Sequence, residues 1–194
     1  DQDEDTVSEH MDRHEGSRNR GVKEAKGEYI AYLDADDWWD AGKLKEQLLR
    51  LRDTGYVLCS TGRELMKADG TGTGRCIPVK EKIRYRDLLA HNSINCSSVL
   101  LRREVALEFP MEHDDSHEDY ITWLKVLRKY GCAAGINKPY LKYRLSEGGK
   151  SRNKLKSATM TYRVYRYAGY GRIWSGIFFV SYAVHGVWKY FVKK

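Results

Sequence analysis

Proline and cysteine are scarce in this chain, and neither forms a recognisable pattern. Three prolines and 17 glycines among 194 residues exclude collagen-like, proline-rich and flexible-linker proteins. The four cysteines include no C-x-x-C pair and no neighbouring histidine pair, which argues against a zinc site and against a disulfide framework. Apolar residues make up 41% of the chain and charged residues 31%. This composition is typical of one globular domain, with at most an appendage, and with reduced thiols.

Acidic residues are almost missing from the C-terminal part of the chain. Residues 139–194 contain seven lysines and five arginines against a single acid, Glu147, which gives a net charge of +11. Because the whole chain carries +7, residues 1–138 carry −4. The C-terminal part also holds 13 of the 23 aromatic residues. The chain is therefore a mildly acidic body followed by a basic, aromatic tail, which we place at residues 151–194.

The first 14 residues are polar and largely acidic, and they show no periodic pattern. A secretory signal peptide begins with basic residues, so this start does not match one, and we expect a cytoplasmic protein. Residues 1–14 are predicted to be irregular. Since a regular pattern starts abruptly at Glu15, we expect the first part of the natural domain to be missing.

Strand and helix patterns alternate over residues 15–150. Helices are predicted over 17–27, 43–52, 86–91 and 118–130, and strands over 29–33, 55–61, 98–101 and 140–144. In the second helix, Leu44, Leu48 and Leu51 share one face and are expected to be its buried face. The glycine-rich stretch 69–74 predicts a turn or hairpin tip. This order of elements predicts an α/β fold with a largely parallel sheet.

Three carboxylates, Asp34, Asp36 and Asp37, follow directly after the predicted strand 29–33. Ligands of open α/β sheets bind beyond the carboxyl ends of the strands. In extended backbone, a D-x-D spacing places two carboxylates on the same side, with their backbone positions about 6.6 Å apart. Such a pair suits Mg²⁺ or Mn²⁺ better than zinc. An EF-hand is excluded because Trp39 stands where that loop needs a glycine. A solvated acidic turn that caps the next helix is the alternative.

The sequence around these carboxylates resembles that of family 2 glycosyltransferases. The match runs without a gap through residues 21–39 and continues at residues 43–47, and residues 17–19 match the family's usual lead-in. The resemblance implies a GT-A-like fold, which is a Rossmann-like, mostly parallel sheet flanked by helices. It also implies that the D-x-D motif binds a divalent cation, Mg²⁺ or Mn²⁺, that bridges the diphosphate of a nucleotide-sugar donor.

The resemblance assigns roles to individual residues of this motif. Asp36 matches the metal ligand, Asp34 a second metal ligand or a ribose contact, and Arg18 a nucleotide contact. Two family signatures are missing. The Asp-Asp-Gly-Ser strand end that holds the nucleoside has no counterpart, so the match covers roughly the last two-thirds of a GT-A domain. The Gln-x-x-Arg-Trp signature of processive synthases is also missing, which favours addition of a single sugar.

A second acidic cluster lies at residues 112–120, where the helix predicted over 118–130 begins. Acidic residues at a helix N-terminus are stabilised by the helix dipole, so capping is one interpretation. Glycosyl transfer also needs a carboxylate that accepts the proton of the attacking hydroxyl. The resemblance assigns this general base to Asp119 and implies an inverting displacement. His113 and His117 are expected to line the acceptor cleft rather than to bind a metal, because the helix is predicted to begin after His113.

One basic residue ends the last predicted strand and another follows it. Arg144 and Lys150 resemble residues of the family's closing strand and lid loop, and both are candidates to pair with the donor diphosphate. A basic surface strand is an equally good interpretation.

The tail contains a run of sixteen uncharged residues, 173–188. Its apolar residues recur with a helical period, but it is shorter and more polar than the about 20 apolar residues that a bilayer span needs. We predict an amphipathic helix that lies in the interface of an anionic membrane. A helix packed on the domain is the alternative. Nucleic-acid binding is not expected, because the body is acidic and no RNA-binding fold is indicated.

Together these patterns predict a glycosyltransferase that moves one sugar from a nucleotide-sugar to a saccharide or polyprenyl-linked acceptor. We expect surface polysaccharide assembly at the inner face of the cell membrane. Two other hypotheses remain open at this point. One is a truncated, non-catalytic domain that binds a membrane or a partner. The other is a phosphatase with Asp34 as nucleophile and Asp36 as acid.

Overall fold

The computed structural model describes residues 14–113, 115–145 and 154–191. The strands are β1 Tyr29–Ala31, β2 Trp38–Trp39, β3 Leu58–Met66, β4 Gly72–Ile77, β5 Lys82–Arg84, β6 Leu100–Arg102 and β7 Cys132–Arg144. The helices are α1 His14–Glu24, α2 Lys43–Thr54, α3 Tyr85–Ala90, α4 Arg103–Glu108, α5 Glu118–Tyr130, α6 Lys154–Tyr167 and α7 Arg172–Phe191. A short 3₁₀ helix spans Cys96–Ser98.

The strands of the described residues form one sheet whose central order is β1-β6-β3-β7-β2. β3 and β7 are parallel, whereas β6 is antiparallel to both of its neighbours, β1 and β3. β1, β3 and β7 therefore run in the same direction, and their carboxyl ends lie at one edge of the sheet. This edge is where an α/β sheet binds ligands.

The predicted α/β fold is confirmed, but the sheet is mixed rather than largely parallel. β4 is antiparallel because it returns from β3 through a turn at Gly70, whose φ of 85° favours glycine. β6 lies between β1 and β3 and runs opposite to both. β2 and β5 each pair antiparallel with β7. The strands predicted over 29–33, 55–61 and 140–144 do share one direction, whereas the strand predicted over 98–101 runs antiparallel to its neighbours as β6.

β7 is much longer than the strand predicted over 140–144, since it begins at Cys132. Its first half contains Gly135, and a Cβ atom at that position would lie 2.0 Å from the carbonyl oxygen of Lys80. The chain that precedes β5 thus crosses β7 so closely that only glycine fits. A glycine in this apolar stretch weakens the strand pattern in the sequence, although the packing requires it.

The main core lies between the sheet and α3, α5 and α6. α5 spans the same residues as its prediction, and its apolar face includes the fully buried Tyr120 and Trp123. Val164 and Tyr165 of α6 belong to the same core. The C-terminal helices therefore complete the core of the domain.

α7 has two apolar faces. Phe178, Phe179 and Tyr182 pack against the main core. On the other side, Ile173 is 79% exposed and Val180 is 60% exposed, and Trp174, Ile177 and Val184 are also exposed. Within the described residues, no helix combines the length and the apolar character that crossing a bilayer requires.

Candidate active site

The loop after β1 carries the D-x-D carboxylates to the carboxyl edge of the sheet. The backbone turns there, because the amide of Asp37 donates to the carbonyl oxygen of Asp34 at 3.1 Å. Ser97, in the 3₁₀ helix, fixes this loop at two points. Its hydroxyl oxygen accepts from the Asp34 amide at 3.1 Å, and its carbonyl oxygen accepts from the indole nitrogen of Trp39 at 2.7 Å.

Arg18 joins the two acidic clusters that the sequence singles out. One guanidinium nitrogen donates to Glu118 Oε1 at 3.0 Å, and another contacts Asp34 Oδ1. The structure therefore brings the start of α5 to the D-x-D loop, although 84 positions separate Asp34 from Glu118 in the sequence. Arg18, which the family resemblance assigned as a nucleotide contact, lies between two carboxylates and bridges them.

Asp119, the predicted general base, is half-buried beside this bridge. Its Oδ1 accepts from the amide of Tyr120 at 2.8 Å. Burial, followed by the nearby charge of Glu118, raises the pKa of Asp119 to about 6. A carboxylate with such a pKa is ionised at neutral pH and is more basic than an ordinary aspartate, which suits general-base work.

The other two carboxylates of the loop differ in environment. Asp36 is exposed, and no donor group in the described part of the chain contacts its carboxylate. Asp37 is buried: its Oδ1 accepts from the amide of Arg144 at 3.0 Å, while its Oδ2 has no partner among the described residues. Burial raises the pKa of Asp37. Within the described part of the chain the Asp36 carboxylate is available to a ligand, whereas Asp37 holds β7 against the loop.

The donor set fits a hard divalent cation but not zinc. Among the described residues, no three His, Cys, Asp or Glu side chains converge as a metal cage. Mg²⁺ needs no such cage, since one or two carboxylates with water and substrate phosphates complete its shell. Asp36, together with the oxygen of Asp34 that Arg18 does not contact, supplies carboxylates of this kind at the sheet edge. The two side chains fit the predicted role as metal ligands.

Arg144 is engaged by the protein itself. Its Nε donates to the carbonyl oxygen of Asp36 at 3.0 Å, and a terminal nitrogen donates to that of Ala68 at 3.0 Å. Its guanidinium also lies 5.2 Å from the ring centroid of Trp38. Arg144 thus supports the D-x-D loop. Lys150, the other predicted diphosphate contact, lies outside the described residues.

The buried face of α2 was predicted only in part. Lys43, Gln47 and Leu51 are buried, whereas Leu44 is exposed and Leu48 is only half-buried. The ammonium of Lys43 lies 4.0 Å from the ring centroid of Trp39, and burial lowers its pKa to about 8. The leucine spacing placed Leu51 correctly, but the packed face includes the polar Lys43 and Gln47 instead of Leu44.

The loop before Asp119 is anchored to α6. The ring of His113 stacks on that of Tyr167, with centroids 3.7 Å apart. Asp115 accepts from the hydroxyl of Tyr167 at 2.9 Å, and the Ser116 hydroxyl donates to a backbone carbonyl of α6 at 2.8 Å. His113 lies outside the helix, as predicted, so it does not share a helical face with His117.

The described backbone is similar to that of S. aureus TarS 1-349. The structure in complex with UDP-GlcNAc matches with a TM-score of 0.60 and 14% identity, over 86% of this chain and 50% of that one. A further structure of TarS 1-349 matches with a TM-score of 0.60 and 13% identity, over 94% of this chain and 58% of that one. At these identities the likeness shows the fold alone, and the fold is the GT-A-like class that the sequence predicted.

Sequence comparison then identifies the family. The chain belongs to glycosyl transferase family 2, whose family model matches residues 7–109. It is 36% identical over 150 residues to the putative teichuronic acid biosynthesis glycosyltransferase TuaG of Bacillus subtilis, covering 77% of this chain and 60% of that one. It is 32% identical over 175 residues to WfaP of Escherichia coli, a UDP-Glc:alpha-D-GlcNAc-diphosphoundecaprenol beta-1,3-glucosyltransferase, covering 90% of this chain and 68% of that one.

Proposed function

We propose that this protein transfers one sugar from a UDP-linked donor to a saccharide carried on a polyprenyl diphosphate, in bacterial surface polysaccharide assembly. Membership of glycosyl transferase family 2 supports the reaction class. The named activity of the Escherichia coli relative supports the acceptor and the donor nucleotide. The chain spans 60% of the length of the Bacillus subtilis relative, and the activity of the whole protein is part of the proposal.

One observation carries the proposal. Asp119, with a pKa raised to about 6, lies at the same sheet edge as Asp34 and Asp36, and the Arg18 bridge between Asp34 and Glu118 holds the two clusters together. This proximity supports one site in which a base for the acceptor lies beside carboxylates for the donor. The ion bridge through Arg18 and the partly buried Asp119 argue against the alternative that these acids only form a solvated turn that caps a helix.

The reaction is a single inverting displacement. Asp119 accepts the proton of the acceptor hydroxyl, whose oxygen bonds to the anomeric carbon of the donor sugar. The bond from that carbon to the diphosphate oxygen breaks on the opposite face, and the nucleoside diphosphate leaves with the electron pair. Asp34 and Asp36 would hold Mg²⁺ or Mn²⁺, which offsets the charge on the leaving diphosphate when bound.

Donor hydrolysis tests the reaction without requiring an acceptor. We expect slow, metal-dependent release of UDP from a UDP-sugar by the wild-type protein. Asp36→Asn should reduce this release about a hundredfold, since it removes a carboxylate that would hold the cation. Asp53→Asn, which alters an exposed residue of α2, is the control. Absence of hydrolysis by the wild-type protein with either metal would favour the non-catalytic hypothesis.

The outer face of α7 supports a location at the inner surface of the cell membrane. Ile173, Ile177 and Val180 form an exposed apolar stripe, and the nearby Arg166 and Arg172 are exposed as well. Apolar side chains next to basic ones favour the interface of an anionic leaflet, with each nearby basic residue contributing about 1 kcal/mol. A peripheral position would bring the active site to a lipid-linked acceptor in the cytoplasmic leaflet.

Flotation with vesicles that contain phosphatidylserine tests this location. The double variant Ile177→Glu/Val180→Glu should lose most vesicle binding, because it places two acids on the stripe. Leu44→Glu/Leu49→Glu, on the exposed side of α2, is the matched control and should float like the wild type. Equal flotation of the two double variants would refute the membrane proposal.

A further inference from the structure

Asn19, on α1, bonds both backbone polar groups of Met111. Its Nδ2 donates to the carbonyl oxygen of Met111 at 2.6 Å, and its Oδ1 accepts from the Met111 amide at 2.9 Å. The two residues are 92 positions apart in the sequence, and Met111 is 1% exposed. A carboxamide carries a donor and an acceptor side by side, so it pairs with a peptide group as another peptide group would. Asn19 therefore fixes the backbone of Met111 relative to α1.

The chain from Met111 leads into α5, and α1 holds it at the other end as well. Arg18, the neighbour of Asn19, donates to Glu118 Oε1 at 3.0 Å. Consecutive residues of one helix thus bond the two ends of the segment 111–118. Side chains on a helix hold a site more precisely than side chains on a loop. α1 is therefore suited to set where α5 begins.

Between these ends, the described residues of the segment are held from α6. The ring of His113 stacks on that of Tyr167, and Asp115 accepts from Arg163 at 2.8 Å. His113 has a φ of 70°, which a residue other than glycine adopts only where its surroundings hold it there. The contacts with α1 and α6 together fix the approach to α5.

Asp119, the predicted general base, follows directly after Glu118. Its Oδ1 accepts from the amide of Tyr120, so its carboxylate is oriented by the first turn of α5. A general base must lie within hydrogen-bond reach of the proton that it accepts. A displacement of about 1 Å can reduce the rate about a hundredfold. The start of α5 therefore determines whether Asp119 can act.

We propose that Asn19 is a positioning residue for sugar transfer, which holds Met111 so that Asp119 lies within reach of the acceptor hydroxyl. This inference rests on the proposed function, which makes Asp119 the base. Asn19 acts through the segment 111–118 and needs no contact with either substrate. The alternative is a structural role, in which Asn19 only pairs a buried peptide group and affects stability alone.

Steady-state kinetics of sugar transfer, measured well below the Tm of every variant, distinguish these roles. Asn19→Ala should reduce kcat roughly tenfold to a hundredfold. The KM for the UDP-sugar should change by less than about twofold, because the D-x-D carboxylates remain. Asn19→Asp, which keeps the acceptor for the Met111 amide but loses the donor, should reduce kcat at least tenfold too.

Asn137→Ala is the matched control. The Asn137 side chain also accepts from a distant backbone amide, that of Val79, at 3.3 Å. This variant should keep the kcat of the wild type. A structural role of Asn19 would give Asn19→Ala the same result, a lower Tm with an unchanged kcat.

A double variant tests whether Asn19 acts through the base. In the Asp119→Asn background, adding Asn19→Ala should reduce the remaining rate by less than about twofold, because the group that Asn19 positions is already lost. Multiplication of the two single losses would show that Asn19 acts elsewhere, and it would overturn the inference.

Hydrogen exchange provides a readout that does not depend on activity. The Ser116 amide donates to the carbonyl oxygen of His113 at 2.9 Å, and the Tyr120 amide donates to Asp119 Oδ1 at 2.8 Å. Both amides should exchange faster in Asn19→Ala, whereas peptides from the last turns of α5 should not change.

An unchanged kcat or unchanged exchange in Asn19→Ala would overturn the positioning role. Failure of the proposed function looks different, because the wild-type protein would then form no product. The exchange measurement still decides in that case whether Asn19 holds the start of α5.

Discussion

Replacing Arg18 with methionine removes the ion bridge between the D-x-D loop and α5. The side chain of Arg18 is 20% exposed, and its partners Glu118 and Asp34 are 9% and 35% exposed. Loss of one partner of a fully buried pair costs roughly 3–5 kcal/mol. Because water screens the contact with Asp34, we expect about 2–3 kcal/mol, near the range for hydrogen bonds to charged groups.

This loss is measurable as a change in the free energy of unfolding. Arg18→Met should lower Tm by roughly 4–10 °C in a chain of this size. Arg86→Met, at an exposed position of α3, is the control and should change stability by less than about 0.5 kcal/mol.

The same variant has a second readout. Arg18 lowers the pKa of Asp119, whereas Glu118 raises it. Without Arg18, the pKa of Asp119 should rise further above about 6, and the acid limb of the pH–rate profile should move to higher pH. A stability loss below about 1 kcal/mol, together with an unchanged acid limb, would refute the bridging role.

Two further predictions concern stability. Because the folded-state pKa of Asp119 is raised, its ionisation lowers the stability of the folded protein as pH rises from about 4 to about 6. The change in Tm caused by Asp119→Asn should therefore be more stabilising at pH 7.5 than at pH 4. An equal change in Tm at both pH values in thermal melts would contradict this. Gly135→Ala places a Cβ 2.0 Å from the Lys80 carbonyl and should cost about 3 kcal/mol in urea unfolding. The control Gly21→Ala, on α1 with open space around it, should stabilise by about 1 kcal/mol; similar values for both variants would refute the steric argument.

Local patterns predicted the elements that depend on local interactions. α5 has a strong helical period and ends at Gly131, so both of its ends agree with the prediction. β1 was predicted two residues too long, since the chain leaves the sheet after Ala31 to form the loop that carries Asp34. The structure brings Asp34 of the D-x-D motif and Glu118, the neighbour of Asp119, together through Arg18.

Features that depend on long-range contacts were not predictable. Arg18 and Glu118 are 100 positions apart, and no local pattern indicates that they pair. Lys43 is buried because Trp39 and the sheet cover it, although a lysine at a helix start is ordinarily exposed. The sequence of β3 gives no sign that Arg63 is half-buried, and its contact with the ring of Tyr143 exists only because β7 packs beside it.

The most direct test of the account is sugar transfer itself, measured as a function of pH. The wild-type protein, supplied with a UDP-sugar, Mn²⁺ and a diphosphate-linked prenyl GlcNAc, should form a disaccharide with inverted anomeric configuration. Its rate should decrease below about pH 6, as Asp119 becomes protonated. Asp119→Asn should reduce transfer by at least about a hundredfold. Retained configuration, or full transfer by Asp119→Asn, would contradict the account.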